Sequence, residues 1–424
     1  MTTTGENGAA PKGTPVRHVA AVVAGNALEF YDFLTYAFFA AQIGRTFFPS
    51  TDPTSSLLAS LATFGAGFLT RPIGALVIGR LADRAGRKPA MLLTFSLMGA
   101  AMVGIALTPS FAVIGVAAPV IVIALRLLQG FALGGELGSS TAYLAEAAPP
   151  RRRGLYISLQ YMGQDVAILI AGCLGVVLSN LMTPADLDAW GWRVAFLAGA
   201  VIVPLGLILR RSLEETLNAP EQAPTAVTTG RDYRRVAVLA LAILSSATVA
   251  SYLLSYLTTY ANSTLGMPAS LAFGATVATG LAGTVFDPVG GALSDRFGRK
   301  PVMVGSWTML TLLVLPVFWL VEQARTPLVL YGGGALLTIA FVIGASAALA
   351  GITEALPKRS RAGSLAIIYA VSTAVFGGVT QVSAAWLTKL IGSPMAPAWL
   401  MMTASVIALS AALGLRETAP AKAA

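Results

Sequence analysis

The chain has 424 residues, 56% of them hydrophobic and 11% charged, and a mean hydropathy of +0.75, so it carries about half the charge expected of a soluble domain. Its net charge of +9 comes from Lys and Arg confined to short segments between apolar runs, which excludes the continuous basic face of a nucleic-acid-binding protein. The single cysteine, Cys173, falls inside an apolar run and provides neither a disulfide nor a cysteine metal site.

Residues 1–15 are polar, rich in Gly, Thr and Pro, and precede a helix without a small-residue cleavage site; they read as a disordered cytoplasmic tail, not a signal peptide. Apolar runs able to cross about 30 Å of hydrocarbon then start near residues 18, 56, 89, 116, 154, 191, 235, 269, 301, 327, 362 and 396. Twelve spans with both termini inside place most Lys and Arg in the inner connections, and leave Arg45, Arg193, Arg325 and Lys389 outside. Trp190, Trp192, Trp319 and Trp399 fall near the outer ends, where indole rings favour the headgroup zone.

The first helix opens beside His18, a solvated end residue, and carries Glu29 and Asp32 three positions apart. One helical turn lets the two carboxylates repel each other, which favours a proton on one of them; the alternative is an ion pair with a buried arginine. Arg71 in the second helix and Arg126 in the fourth are the bases placed within apolar runs, against the acids Glu29, Asp32, Glu136, Asp165 and Asp287. A charge there is disfavoured by about 2.5–3.5 kcal/mol and needs a partner or a purpose. Arg126 is the first candidate to grip a substrate carboxylate bidentately, with a permanent salt bridge as its alternative, and Arg71 is the second candidate. The excess of acids suits proton coupling.

Glu136 is flanked by Gly134, Gly135 and Gly138, which permit close helix approach. In the fifth helix Gln160, Tyr161, Gln164 and Asp165 form a polar cluster that predicts a cavity wall. An ionised Asp165 beside the site would repel a citrate-like trianion and favour a less charged acid or a substrate with a positive group. Residues 212–233 hold Pro220, Pro224 and Gly230 among polar residues and read as a cytoplasmic linker. The expected organisation is therefore an N-terminal six-helix bundle over 16–211, a C-terminal one over 234–416, and a tail over 417–424. Helix seven repeats Tyr252, Tyr256 and Tyr260 at intervals of four with Ser251 and Ser255 beside them; Tyr252 and Tyr256 predict a hydroxyl-lined cavity wall, while Tyr260 fits packing or membrane-edge anchoring. Ser372, Thr373 and Gln381 in helix eleven are weaker candidates of the same kind.

Two elements occur twice. Gly79-Arg80-Leu81-Ala82-Asp83-Arg84-Ala85-Gly86-Arg87-Lys88-Pro89 returns as Gly291-Ala292-Leu293-Ser294-Asp295-Arg296-Phe297-Gly298-Arg299-Lys300-Pro301, and Glu146 and Glu354 are each followed seven residues later by an arginine, Arg153 and Arg361. Duplication at half-chain spacing marks two related membrane halves. Asp83 and Asp295 can face the positive end of a neighbouring helix. Asp83, Arg87, Glu146 and Arg153, with Asp295, Arg299, Glu354 and Arg361, predict a cytoplasmic gate that is ion-paired while the chain is open to the outside.

These loops, with Arg126-Leu127-Leu128-Gln129-Gly130, resemble the major facilitator superfamily along essentially the whole chain. Glu29-Phe30-Tyr31-Asp32-Phe33, Arg71-Pro72-Ile73-Gly74 and Gly134-Gly135-Glu136-Leu137-Gly138 resemble its metabolite:proton symporters. Trp190-Gly191-Trp192-Arg193, Leu209 to Thr216 and Phe376-Gly377-Gly378 are most similar to the citrate and tricarballylate symporters. The resemblance implies an all-α polytopic membrane protein of two pseudo-symmetric six-helix bundles, and adds Tyr31 to the substrate contacts. It implies a monomeric importer of a small organic anion with protons, in a bacterial inner membrane. An aromatic acid such as shikimate, a zwitterion such as betaine, or export instead of import fits the same pattern. With no nucleotide-binding loop, metal-ligand spacing or nucleophile constellation in the sequence, the reading is a transporter without cofactor and not an enzyme, driven by a proton gradient, with sodium as the alternative ion.

Overall fold

The computed structural model describes residues 16–85, 87–134, 141, 144–145, 148–200, 231–356 and 361–419, with the backbone alone described at some of them, including His18, Glu29, Asp32, Asp83, Arg87 and Arg361. Glu136, Glu146 and the expected linker up to residue 230 lie outside the described residues, as do the tail segments 1–15 and 420–424.

Helix formation follows the apolar runs, and caps set several boundaries. The helices are α1 (Val16–Phe38, continued by Ala40–Phe47), α2 (Pro53–Ala66, continued by Arg71–Ala85), α3 (Arg87–Leu107), α4 (Ala117–Leu133), α5 (Arg153–Leu181) and α6 (residues 192–200 of it described). The second half contributes α7 (Arg231–Thr259), α8 (Ala269–Phe297), α9 (Arg299–Ala324), α10 (Pro327–Ala355), α11 (Arg361–Ser372 and, past a π-turn, Gly378–Ile391) and α12 (Ala396–Gly414). Asp52 caps α2 through Thr54 N–H, with Pro53 at the first helical position. Thr326 and Pro327 do the same for α10.

Twenty-nine residues in α5, α8 and α10 span roughly 44 Å at 1.5 Å per residue, enough to cross the hydrocarbon with some tilt. Eight helices are long and apolar enough to cross a membrane among the described residues. Leu76, Leu107, Leu181, Leu312 and Leu328 point outward and are mostly exposed, a belt that suits lipid and not water. α10 is instead enclosed over 78% of its most apolar window.

The buried side chains separate into two cores. One gathers Phe33, Tyr36, Phe64, Phe68, Trp192 and Phe196 of the first half, with Tyr252 and Phe273 entering from the second. The other is built mainly from α7 to α12 around Trp307, Phe318, Leu349 and Met401. Within the first half α2 and α4 approach backbone to backbone: a Cβ on Gly130 would stand 1.6 Å from the Gly67 carbonyl oxygen. That contact needs glycine, and it sets Arg71 of α2 beside Arg126 of α4.

The tryptophan expectation needs one correction. Trp190, Trp319 and Trp399 are exposed, but Trp192 is fully buried, donates from Nε1 to the Asp188 carbonyl at 3.1 Å and packs on Phe47 and Phe196. Trp190 and Trp192 are two positions apart and so point to opposite sides, one outward and one into the bundle.

Candidate functional site

A cavity lies between the halves, lined by residues of both. α1 supplies Phe30 and Leu34, α5 supplies Tyr161, Gln164 and Asp165, and α7 supplies Thr248, Ser251, Tyr252 and Ser255. Asp287 comes from α8, Phe341 from α10, and Tyr369 and Thr373 from α11. Thr373 opens the π-turn of α11, a local widening of the kind that recurs at functional sites.

The two acids meet across the halves. Asp165 lies within hydrogen-bonding range of Asp287, and Ser346 Oγ donates to Asp287 Oδ1 at 2.8 Å. Asp287 is fully buried and its Oδ2 has no donor among the described residues. Gly283, one turn before Asp287 on α8, makes the approach possible, since a Cβ there would stand 2.0 Å from Asp165 Oδ2.

Both arginines sit behind an aromatic wall and not in the cavity lining. The Arg126 guanidinium is fully buried over Phe33, Tyr36 and Phe64, with its carbon 4.7, 4.5 and 5.1 Å from the ring centroids, and Nη1 donates to Gln129 Oε1 at 2.7 Å. Arg71 lies over Phe33 and Phe68 at 4.5 and 4.2 Å. The bridge to the cavity is Tyr252: its ring packs edge-on against Phe64 and Phe68, and its phenol feels the charge of both arginines, Arg71 from hydrogen-bonding range.

Other predicted contacts lie elsewhere. Tyr31 donates its hydroxyl to the Ala195 carbonyl at 3.0 Å inside the first core. Gln160 bonds to Asn26 through Nε2 at 2.9 Å and accepts from Asn26 Nδ2 on its backbone carbonyl at 2.6 Å, which ties α5 to α1. Tyr256, one turn beyond Tyr252, is turned into the second core. The four-residue spacing drifts around α7, so three tyrosines do not share one wall. Tyr260 is fully buried against Phe318, which is packing and not edge anchoring. Gln381 supports α7 by donating to the Tyr252 carbonyl at 3.2 Å.

Contacts between the halves close the cavity at both ends. At one end Asp295 of α8 accepts from the backbone N–H of Gly154 and Leu155, each at 2.9 Å, at the positive N-terminus of α5. Arg299 pairs with Asp295 at 2.7 Å and with Glu354 at 2.9 Å, and is itself buried. Arg153 stands beside this cluster in sequence, its Nε without a partner among the described residues. The side chains of Asp83, Arg87, Glu146 and Arg361 lie outside the described ones. At the opposite end Lys389 of α11 pairs with Asp52 at the start of α2. The other bases there are also engaged: Arg45 binds Asp188 at 2.5 Å, Arg193 donates to the Ala106 and Thr108 carbonyls, and Arg325 to those of Glu322 and Leu265.

Sequence reasoning missed three features here. Ser346 sits among small apolar residues of α10, Tyr369 is passed over although Ser372 and Thr373 one turn on mark its helix, and the Lys389–Asp52 pair joins residues 337 apart. Glu417 is the third: its carboxylate accepts from the backbone N–H of Arg299, Lys300, Thr418 and Ala419, while Thr418 Oγ1 donates to Glu354. The segment read as a tail is thus docked on the Arg299 cluster; a carboxylate three residues past an apolar helix was its one visible signal.

Two helical halves around a polar cavity, closed at each end by contacts between the halves, define a membrane transporter of the alternating-access type. The profile of the Major Facilitator Superfamily matches residues 22–286, and that of the Sugar (and other) transporter family matches residues 221–422. The chain belongs to the major facilitator superfamily. It is 36% identical to the citrate-proton symporter of Salmonella typhi, over 92% of this chain and 91% of that one. It is 35% identical to the alpha-ketoglutarate permease of Escherichia coli K12, over 95% and 94%, and 30% identical to the proline/betaine transporter of the same strain, over 95% and 83%. In fold it is similar to the partially occluded inward-open xylose transporter XylE from E. coli, with a TM-score of 0.77 and 16% identity over 95% of this chain and 98% of that one.

Proposed function

We propose that the chain imports a small organic carboxylate together with protons across a bacterial inner membrane, in the manner of the citrate and alpha-ketoglutarate transporters it is similar to. The observation that carries the reading is the cavity between the halves, with Asp165 and Asp287 on its wall and contacts between the halves at both ends. The arginine-rich end of the α8–α9 turn is the cytoplasmic one, following the bias of positive charge to that side. Arg71 and Arg126 attract the substrate carboxylate. Arg71 Nε has no acceptor among the described residues, and a shift of Tyr252 would open the wall between it and the cavity. The driving ion is the proton, taken up at the buried acids. No cofactor is needed, and one chain suffices, since the cavity is complete within it.

A second reading, uptake of a zwitterion, is favoured by one observation: the charged residues lining the cavity among the described ones are both acids, which suits a substrate with a positive group, and a proline/betaine transporter is among the relatives. Proteoliposomes with an inward proton gradient decide between them. Protonophore-sensitive uptake of labelled citrate or alpha-ketoglutarate, displaced by other carboxylates and not by betaine, supports the first reading; uptake of betaine alone supports the second.

A further inference from the structure

We infer that Asp165 and Asp287 form a single proton-binding site whose proton holds α5 to α8, so that its loss drives the two halves apart at the cavity; this rests on the proton-coupled reading above.

The geometry is a built one. The acids come from opposite halves, both line the cavity, and the absent side chain of Gly283 is what lets the Asp165 carboxylate lie against α8 within reach of Asp287. Two ionised carboxylates at that range repel strongly in an apolar interior, whereas one shared proton turns repulsion into a short charge-assisted hydrogen bond. The buried Asp287 Oδ2 lacks a donor among the described residues, while Oδ1 already accepts from Ser346. A proton on Asp165 is the missing donor.

The groups that face the pair offer no counter-charge to replace it. Tyr161 faces it from its own helix α5, Ser346 from α10, and Tyr369 from α11. Tyr252 of α7 lines the same cavity. The nearest described bases, Arg71 and Arg126, stand behind the aromatic wall and act on Tyr252. On α1 the side chains of Glu29 and Asp32 lie outside the described ones. The pair therefore exchanges its proton with water that enters the cavity.

Position gives the consequence. Asp287 is two turns before Asp295, which holds the N-terminus of α5 at the closed end. Separation of the acids lies on the same helix pair as that closure, so release of the proton loosens both together.

The test reads protonation directly and does not depend on knowing the substrate. Infrared difference spectra of the purified full-length protein are recorded across a pH titration, for the wild type, Asp165→Asn and Asp287→Asn. The expected result is a carboxylic C=O band in the wild type, at the position of a shared proton, that titrates once and is lost from that position in both variants, together with loss of proton-driven accumulation in proteoliposomes. A Gly283→Ala variant, which leaves both acids in place but blocks their approach, is expected to shift that band to the position of an isolated carboxylic acid. A band that survives at the wild-type position in both Asn variants, or that splits into two independent titrations in the wild type, overturns the inference. If the wild type shows the band but accumulates betaine and not citrate or alpha-ketoglutarate, the proton site stands and the carboxylate reading fails.

Discussion

Phe33 lies between Arg71 and Arg126, 4.5 Å from one guanidinium carbon and 4.7 Å from the other. Two cations at the middle of a membrane bundle repel, and a ring shared between them offsets part of that repulsion through its negative faces, at about 0.5–2 kcal/mol for each contact. Phe33→Leu keeps the bulk and removes the π face. We expect it to lower unfolding stability by about 2 kcal/mol and to raise the apparent KM for the transported acid. A thermal melt of the purified protein and an uptake titration check both.

Arg126→Lys tests the carboxylate contact separately. A lysine keeps the charge but loses the planar fork, so a bidentate partner is weakened by about 1–3 kcal/mol. The expected outcome is a rise in KM of about tenfold with expression retained; an unchanged KM assigns Arg126 to structure alone.

The end marked by Arg299 is held by a buried pair. Glu354→Gln leaves the Arg299 guanidinium with half its carboxylate partners, and the loss of one member of such a pair costs about 3–5 kcal/mol. Labelling of a cysteine placed at the exposed Arg152 is expected to speed up in this variant, because the N-terminus of α5 is released as well.

Glu417 adds a pH signature at the same end. Burial pushes its carboxyl up, but the N–H groups of Ala419, Arg299, Lys300 and Thr418 together outweigh that and hold it below its ordinary value. A folded value below the unfolded one contributes stability above the ordinary carboxylate range, lost as pH falls through the folded value. Glu417→Gln is expected to lower stability at neutral pH by about 1–2 kcal/mol, allowing for solvent screening, and to flatten the acid limb of a melting-temperature profile.

The opposite end should respond differently. Bonds from Lys389 and Ser55 hold the Asp52 carboxyl well below the usual range, so this pair persists through mildly acid pH and fails only under strongly acid conditions. Lys389→Ala removes it at every pH. Faster thiol labelling at Ser55→Cys in the Lys389→Ala background, with no change in labelling at the Arg299 end, is the expected outcome.

The architecture was legible because membrane physics writes it in long symbols. Apolar runs gave twelve helices, and all the helix starts lie within about a turn of those runs. The duplicated loops placed Asp295, Arg299 and Glu354 in one cluster. Asp165 and Tyr252 were readable as cavity residues because polar neighbours in an apolar helix have to face something. Tyr31, Gln160 and Tyr256 were misplaced for one reason: a polar side chain can be satisfied or packed inside a half, as Tyr31 is on the Ala195 carbonyl, Gln160 on Asn26 and Tyr256 in the second core, and sequence spacing does not reveal which. The meeting of Asp165 with Asp287 depends on one missing Cβ at Gly283, a detail of packing across the two halves that no periodicity records.

Proton movement with substrate is the most direct test of the central claim. Proteoliposomes containing the wild-type chain and a trapped pH dye, with no gradient imposed, would be given citrate or alpha-ketoglutarate from outside. The account predicts acidification of the lumen that begins with substrate addition and is abolished in Asp287→Asn. Uptake of either acid without any change in luminal pH would contradict it.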